Sequence, residues 1–224
     1  MSVEGVKKIV SKEYNDVYYS DDNGFEEKEN VFIRQSNFTN LLETKNKIQV
    51  VELGFGLGIN LANCYDYWAK KEIKPVLNYI TIEKYPLIAS TILEYHKQQD
   101  KSTPFFESFL SKYASFEDGW NETVDTETHF NILFFKGDVN EAFSQLPHEI
   151  DTWFLDGFSP SLNEEMWSET VFETMTKHSS EKSVFSTYSA AGFVRRGLER
   201  AGFKVFRNPG WGRKREMLSG CLKD

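Results

Sequence analysis

From residue 46 onward, short apolar runs alternate with longer stretches in which apolar positions recur every third or fourth residue. That is the pattern of strands followed by helices in a parallel sheet. Residues 48–53 predict a first strand and 59–71 a helix; 76–83 predict a second strand, and 86–97 a helix whose first position is Pro86. Apolar runs at 131–135 and 152–155 supply two more strands, separated by a short helical piece at 139–146. Asn163 is positioned to cap the next helix, which ends near His178, and 183–188 read as a fifth strand. Residues 190–201 place Arg195, Arg196, Glu199 and Arg200 opposite an apolar or small stripe, an amphipathic helix ended by Gly202. Residues 204–207 and 216–222, joined through Asn208-Pro209-Gly210, read as a closing hairpin. The expected class is α/β: a mostly parallel twisted sheet with a C-terminal antiparallel hairpin. Two stretches break the alternation. Residues 1–45 are expected to be an N-terminal extension packed on a domain spanning 46–224, and about 98–130 an insertion beside the sheet.

Composition narrows the possibilities. A chain of 224 residues, 40% hydrophobic and 27% charged, has material for one ordinary core. Two cysteines and no basic-then-apolar leader make a reducing cytoplasm the expectation, and no apolar run approaches the roughly 20 residues needed to cross a bilayer. Four histidines scattered among polar residues show no ligand spacing, so no metal is expected. The net charge of −8 is unevenly spread. Between positions 192 and 215, Arg195, Arg196, Arg200, Lys204, Arg207, Arg213, Lys214 and Arg215 stand against Glu199 alone, a local +7 that leaves −15 elsewhere. A basic face on an acidic body suits a docked polyanion, and it equally suits a solvated helix and hairpin.

The most informative stretch is Val50-Val51-Glu52-Leu53-Gly54-Phe55-Gly56-Leu57-Gly58-Ile59-Asn60, a strand entering glycines and then a helix. Glycines let the backbone turn sharply and approach a ligand, and a helix start offers unpaired amides. A dinucleotide fingerprint wants its third glycine at position 59, which is isoleucine here; G-x-G-x-G behind an acid instead suits S-adenosylmethionine, which has no pyrophosphate. Ligands of open α/β sheets bind outside the carboxyl ends of the strands, where three acids fall in order. Glu83 lies 25 positions after Gly58, near the roughly 20-residue offset of a ribose ligand. Asp138 is expected at the adenine amino group and Asp156 nearest the sulfonium. A single strand-end aspartate is more often a helix cap, but three at the proper edges favour a ligand site.

Two long stretches, Trp153 to Trp167 (W-F-L-D-G-F-S-P-S-L-N-E-E-M-W) and Ser189 to Gly220 (S-A-A-G-F-V-R-R-G-L-E-R-A-G-F, then G-W-G-R-K-R-E-M-L-S-G), resemble the methyltransferase domain of the MnmC family of tRNA wobble-uridine enzymes. The leader stretch from Tyr18 to Glu27 with Val31-Phe32, and the E-L-G-F-G-L-G loop, resemble the same family. The resemblance implies a Rossmann-like class I S-adenosylmethionine-dependent methyltransferase. It also implies an activity: moving a methyl group to the aminomethyl nitrogen of 5-aminomethyl-2-thiouridine at the wobble position of tRNA. Leu162 and Glu164 depart from the lysine and proline of the family's loop after the fourth strand. The oxidase half of bifunctional members is not in this sequence, so the amine is expected from a separate oxidase or other amine-generating enzyme.

On that reading Glu52, Gly54, Gly56, Gly58, Asn60, Glu83, Asp138 and Asp156 bind the cofactor, and Asp156 also accepts a proton from, or orients, the attacking amine. Phe158 and Trp211 are expected to stack on an extruded base, and Arg195, Arg196, Arg213, Lys214 and Arg215 to grip phosphates. The alternatives are a methyltransferase of a small amine metabolite and a non-catalytic RNA-binding relative.

Overall fold

A computed structural model describes residues 9–19, 23–123, 129–212 and 214–223; Arg213 lies outside the described residues. The chain opens with α1 (Gly24–Lys28), continued by a π-helical stretch at Glu29–Arg34, then α2 (Phe38–Thr44), β1 (Lys47–Leu53), α3 (Ile59–Ala69), β2 (Val76–Glu83) and α4 (Ala89–Gln98). It continues through α5 (Pro104–Tyr113), β3 (Gly119–Thr123), β4 (Phe130–Lys136), α6 (Val139–Ala142) and β5 (Ile150–Leu155). It closes with α7 (Glu169–His178), β6 (Ser179–Thr187), α8 (Gly192–Arg200), β7 (Phe203–Pro209) and β8 (Glu216–Leu222).

The eight strands lie in the order β3-β4-β2-β1-β5-β6-β8-β7. Pairing is parallel from β4 through β2, β1 and β5 to β6, while β3 at one edge and β8 with β7 at the other run antiparallel to their neighbours. The central strands are buried on both faces, as parallel strands under helices must be, and successive side chains part to opposite sides. Ile48 and Val50 of β1, Leu77 and Tyr79 of β2 and Phe154 of β5 join one core cluster. Val51, Leu53, Ile80, Ile82, Trp153 and Leu155 join the other.

The leader helps build the first of these cores. Phe25, Val31, Phe32, Phe38 and Leu42 are buried in it, and fully burying rings such as Phe32 and Phe38 contributes about 1.5–3 kcal/mol apiece. The stretch expected beside the sheet belongs to the structure more fully than that. Phe106, Phe109, Leu110 and Tyr113 of α5 fill the same core, and β3 extends the sheet.

Two helix starts differ from expectation. Pro86 precedes α4, which begins only at Ala89, because the Tyr113 hydroxyl donates to the Leu87 carbonyl at 2.7 Å and Glu83 accepts the Tyr85 amide, holding 84–88 as a loop. Asn163 makes no side-chain cap bond; Ser168 caps α7 by accepting from the Val171 amide. Asn163 is instead buried, its amide directed at the Met166 sulfur.

Candidate active site

The glycine loop turns β1 into α3 with three residues at positive φ: Gly54 at 93°, Gly56 at 52° and Gly58 at 67°. Two of them have no room for a side chain. A Cβ on Gly54 would stand 2.8 Å from the Asp156 carbonyl oxygen, and one on Gly58 would meet the Phe55 ring at 2.6 Å. The loop is thus pressed between the end of β5 and the aromatic core, leaving its upper surface as one wall of a cavity of about 260 Å³ at the carboxyl ends of β1, β2 and β5. This is just below the ~300–1,000 Å³ of typical small-molecule sites, with the side chains of Lys28 and Lys214 lining it.

Among the expected cofactor residues, Gly54, Gly56, Glu83 and Asp156 line this cavity. Glu83 is buried, accepting the Gly56 amide on Oε2 at 3.0 Å and the Tyr85 amide on Oε1 at 2.9 Å. Burial raises its pKa, and the backbone donors oppose that shift.

Glu52 does not face the cavity. It is fully buried beneath the loop, where Oε1 accepts from Asn60 at 2.9 Å and Oε2 from Thr81 at 2.7 Å. Burial, reinforced by the charge of Asp156, pushes its pKa up to about 8, so it is a neutral hydrogen-bonding group at pH 7 rather than a ligand. Asn60 and Gly58 are likewise absent from the cavity wall. Asn60 spends both amide hydrogens on carboxylates, Glu52 Oε1 and Asp156 Oδ2 at 2.8 Å, and so connects the acid beneath the loop to the one lining the cavity. Asp138 does not reach the cavity either. It caps α6 through the Asn140 amide and pairs with Lys84 at 3.0 Å, which satisfies its carboxylate where an adenine contact was expected. Those bonds depress its pKa against the opposing effect of burial.

Asp156 sits where the sequence places it, but it is not alone. Lys28, carried in from α1, donates to Oδ1, and Asn60 takes Oδ2. Its pKa is pushed up to about 6 by burial, with the Lys28 charge restraining the rise. The Lys28 ammonium also lies 5.4 Å from the Phe32 ring centre and 5.8 Å from that of Tyr188. Lys214 completes the group: its Nζ is 3.8 Å above the Tyr188 ring and 3.3 Å from Glu27 Oε1. Burial lowers the Lys214 pKa while Glu27 opposes that. A residue expected to grip phosphate on the surface is therefore part of the cavity wall.

The remaining expected contacts divide. Phe158 lines the cavity, yet its ring already packs against Tyr14 at 4.8 Å and Tyr18 at 5.0 Å, an aromatic wall supplied by the leader. Trp211 is half-buried and does not line this cavity; its carbonyl accepts the Lys214 amide. Arg195 is tied to Glu199 at 2.6 Å, whereas Arg196 and Arg215 are exposed and form no ion pair among the described residues. Arg215 borders an open groove with Ser159, Pro160 and Ser189, which shares Tyr188 and Lys214 with the cavity. Glu27, Lys28, Tyr14 and Tyr188 were not found from the sequence. The leader motif containing Glu27 was visible, but nothing near it indicates that α1 ends against Asp156.

The residues present fit S-adenosylmethionine: a buried acid at the end of β2 beside the glycine turn, apolar walls, and a second carboxylate at the end of β5. No group of three or more metal-ligating side chains occurs among the described residues. A family model for S-adenosyl-L-methionine-dependent methyltransferases matches residues 100–223. The tRNA 5-methylaminomethyl-2-thiouridine biosynthesis bifunctional protein MnmC of Methylobacillus flagellatus is 35% identical over 213 residues, 94% of this chain and 33% of that protein. The protein of the same name from Leptospira interrogans is 35% identical over 220 residues, covering 96% and 34%. The chain thus spans about a third of the length of these curated relatives. Among solved structures, MnmC2 from Aquifex aeolicus aligns at a TM-score of 0.77 and 25% identity, covering 99% of this chain and 69% of that one. The Geobacter metallireducens precorrin-6y C5,15-methyltransferase shares the fold alone, at a TM-score of 0.50 and 10% identity.

Proposed function

The chain belongs to the S-adenosyl-L-methionine-dependent methyltransferase family, and from that membership we propose that it methylates the aminomethyl nitrogen of 5-aminomethyl-2-thiouridine at the tRNA wobble position. S-adenosylmethionine supplies the methyl group on an electrophilic sulfonium. The chain's own part is to seat that donor and present a neutral amine to it. The observation that carries this reading is the pairing, within one cavity, of a glycine loop and Glu83 at one end with a carboxylate already holding an alkylammonium, Lys28, at the other.

Glu83 is the ligand for the ribose hydroxyls, and the backbone of Gly54 and Gly56 faces the nucleoside and amino-acid portions. Asp156 receives the acceptor amine. An alkylammonium has no lone pair, so a proton must leave as the N–C bond forms, and a carboxylate within hydrogen-bond reach takes it. Asn60 donates to Oδ2 and Lys28 to Oδ1, so an incoming amine takes the place of Lys28 at Oδ1. Positioning then supplies much of the rate. Residues 46–224 form the methyltransferase unit, and 1–45 the extension that brings Glu27 and Lys28 to its acceptor end.

The tRNA is held through the groove bordered by Arg215 and through Arg196, with Phe158 on the path of the base. A chain serving tRNA works in the cytoplasm, and an amine-generating reaction provides its substrate. Mass spectrometry of tRNA nucleosides after incubation with the protein and labelled S-adenosylmethionine tests the reading. Label in 5-methylaminomethyl-2-thiouridine is expected; label only in small amines, with tRNA untouched, favours a metabolite methyltransferase.

A further inference from the structure

The acceptor end of the cavity is not an open carboxylate awaiting a partner. Lys28 Nζ lies against Asp156 Oδ1, and its side chain is only 11% exposed. Around it stand the rings of Phe32 and Tyr188, with centres at 5.4 and 5.8 Å. A carboxylate with two aromatic rings close by is the surrounding that suits an alkylammonium group. Lys28 presents that same chemistry, a primary amine on a saturated carbon. The other charged groups of the cavity are engaged differently: Lys214 is held by Glu27 and the Tyr188 face, Lys84 by Asp138 and Glu165, Asp16 by the Ser159 amide, and Glu83 by backbone amides at the opposite end. Lys28 is thus the lysine that shares the carboxylate assigned to the acceptor.

We infer that Lys28 is itself a methyl acceptor, and that without an outside amine the chain methylates its own Nζ. The inference rests on the assignment of Asp156 as acceptor carboxylate. In the step, Nζ gives one proton to Asp156 Oδ1, and the freed lone pair forms the new N–C bond to the methyl carbon. The C–S bond breaks with its electron pair remaining on sulfur. The products are N-methyl-lysine and S-adenosylhomocysteine; nothing is oxidised or reduced, and the proton passes from Asp156 to solvent. Methylation keeps the positive charge, so the ion pair with Asp156 survives the modification.

The test uses the full chain, first as purified and then after incubation with isotope-labelled S-adenosylmethionine without RNA, read by peptide mass spectrometry. One methyl group on the peptide carrying Lys28 is expected. Incorporation there should fall at least ~10-fold in Asp156→Asn, which keeps the shape but loses the proton acceptor, and Lys28→Arg should carry no methyl at position 28. Calorimetric binding of S-adenosylhomocysteine to each variant verifies that the site is folded. Label on another lysine, or none, from a preparation that binds S-adenosylhomocysteine and methylates tRNA overturns the inference and leaves the acceptor assignment standing. Bound S-adenosylhomocysteine with transfer to neither tRNA nor Lys28 overturns both.

Discussion

The two ends of the cavity are made in opposite ways. The donor end comes from one continuous stretch, the turn between β1 and α3, with a single addition from the end of β2; it is built largely from positive-φ glycines whose amides hold the loop and Glu83 in place. The acceptor end is drawn from α1, the end of β5, the end of β6 and the β7–β8 connection, and it works through paired charges. Lys28 and Asp156 are 128 positions apart, and Glu27 and Lys214 are 187 apart. Chemistry performed by backbone geometry is encoded where it is used. Chemistry performed by desolvated charges needs partners, and those arrive from wherever the fold can bring them.

Mutation should separate the ends. Asp156→Ala removes the proton acceptor, and turnover is expected to drop about 10²–10⁴-fold while S-adenosylhomocysteine affinity by calorimetry changes little. A parallel loss of cofactor affinity would show that the two ends are not independent. The buried acid beneath the loop gives the next largest effect. Glu52 holds its proton up to about pH 8 in the fold, whereas an ordinary glutamate loses it near 4.5. Between those values the folded state binds a proton that the unfolded chain has released. The associated stability is therefore complete below about 4.5 and is lost as pH rises through about 8. Urea unfolding of the wild type should lose about 2–4 kcal/mol more across this window than Glu52→Gln does. Equal slopes would mean that Glu52 is ionised in the fold.

Glu83→Ala tests the donor end itself. Deleting a hydrogen-bonded charged acceptor costs about 1.5–3 kcal/mol, so S-adenosylhomocysteine binding should weaken roughly 10- to 100-fold, with turnover at saturating donor nearly preserved. A fall in turnover with affinity intact would move Glu83 out of the donor end.

The same contrast explains what the sequence could reveal. The parallel core was legible because β1, β2, β4 and β5 are short, predominantly apolar runs, and Gly54-Phe55-Gly56-Leu57-Gly58 announces its own conformation. Glu83 and Asp156 followed from strand ends. Asp138 shares that position but spends its carboxylate on a helix cap and Lys84, a choice decided by neighbours that no spacing reveals. Glu52 looked like a ligand because the strand pattern does not say which face of β1 lies under Asn60 and Thr81. Lys28 was illegible for a simpler reason: one lysine among the charged residues of a leader has no period and no motif of its own. The start of α4 was displaced by a tertiary hydrogen bond, from Tyr113 to Leu87, that overrides the preference of Pro86 for a first turn.

Within the acceptor end, Lys28→Met isolates the electrostatic part. Burial lifts the Asp156 pKa to about 6 and Lys28 restrains it. Without that cation the value should climb by about 1 further unit, read from the carboxyl carbon shift of Asp156 in isotope-labelled protein. An unmoved titration would mean that the ammonium is not felt, and that the ion pair has no bearing on which proton the carboxylate can take.

The smallest effects belong to the surface beyond the cavity, where the basic face can be divided by its internal partners. Arg195 is spent on Glu199, Arg200 on Glu169 and Arg207 on Glu216, while Arg196 and Arg215 make no ion pair among the described residues. A cation already paired must give up that partner to meet a phosphate, so it contributes less to counterion release than an unpaired one. Arg196→Ala and Arg215→Ala should each lower the slope of log Kd against log salt for tRNA by about 0.7–0.9, and Arg195→Ala by less than half of that. Equal effects at all three positions would show that tRNA docks across both the α8 face and the β7–β8 connection. No effect at Arg215 would close the groove beside Ser159 and Ser189 as the route to the acceptor end.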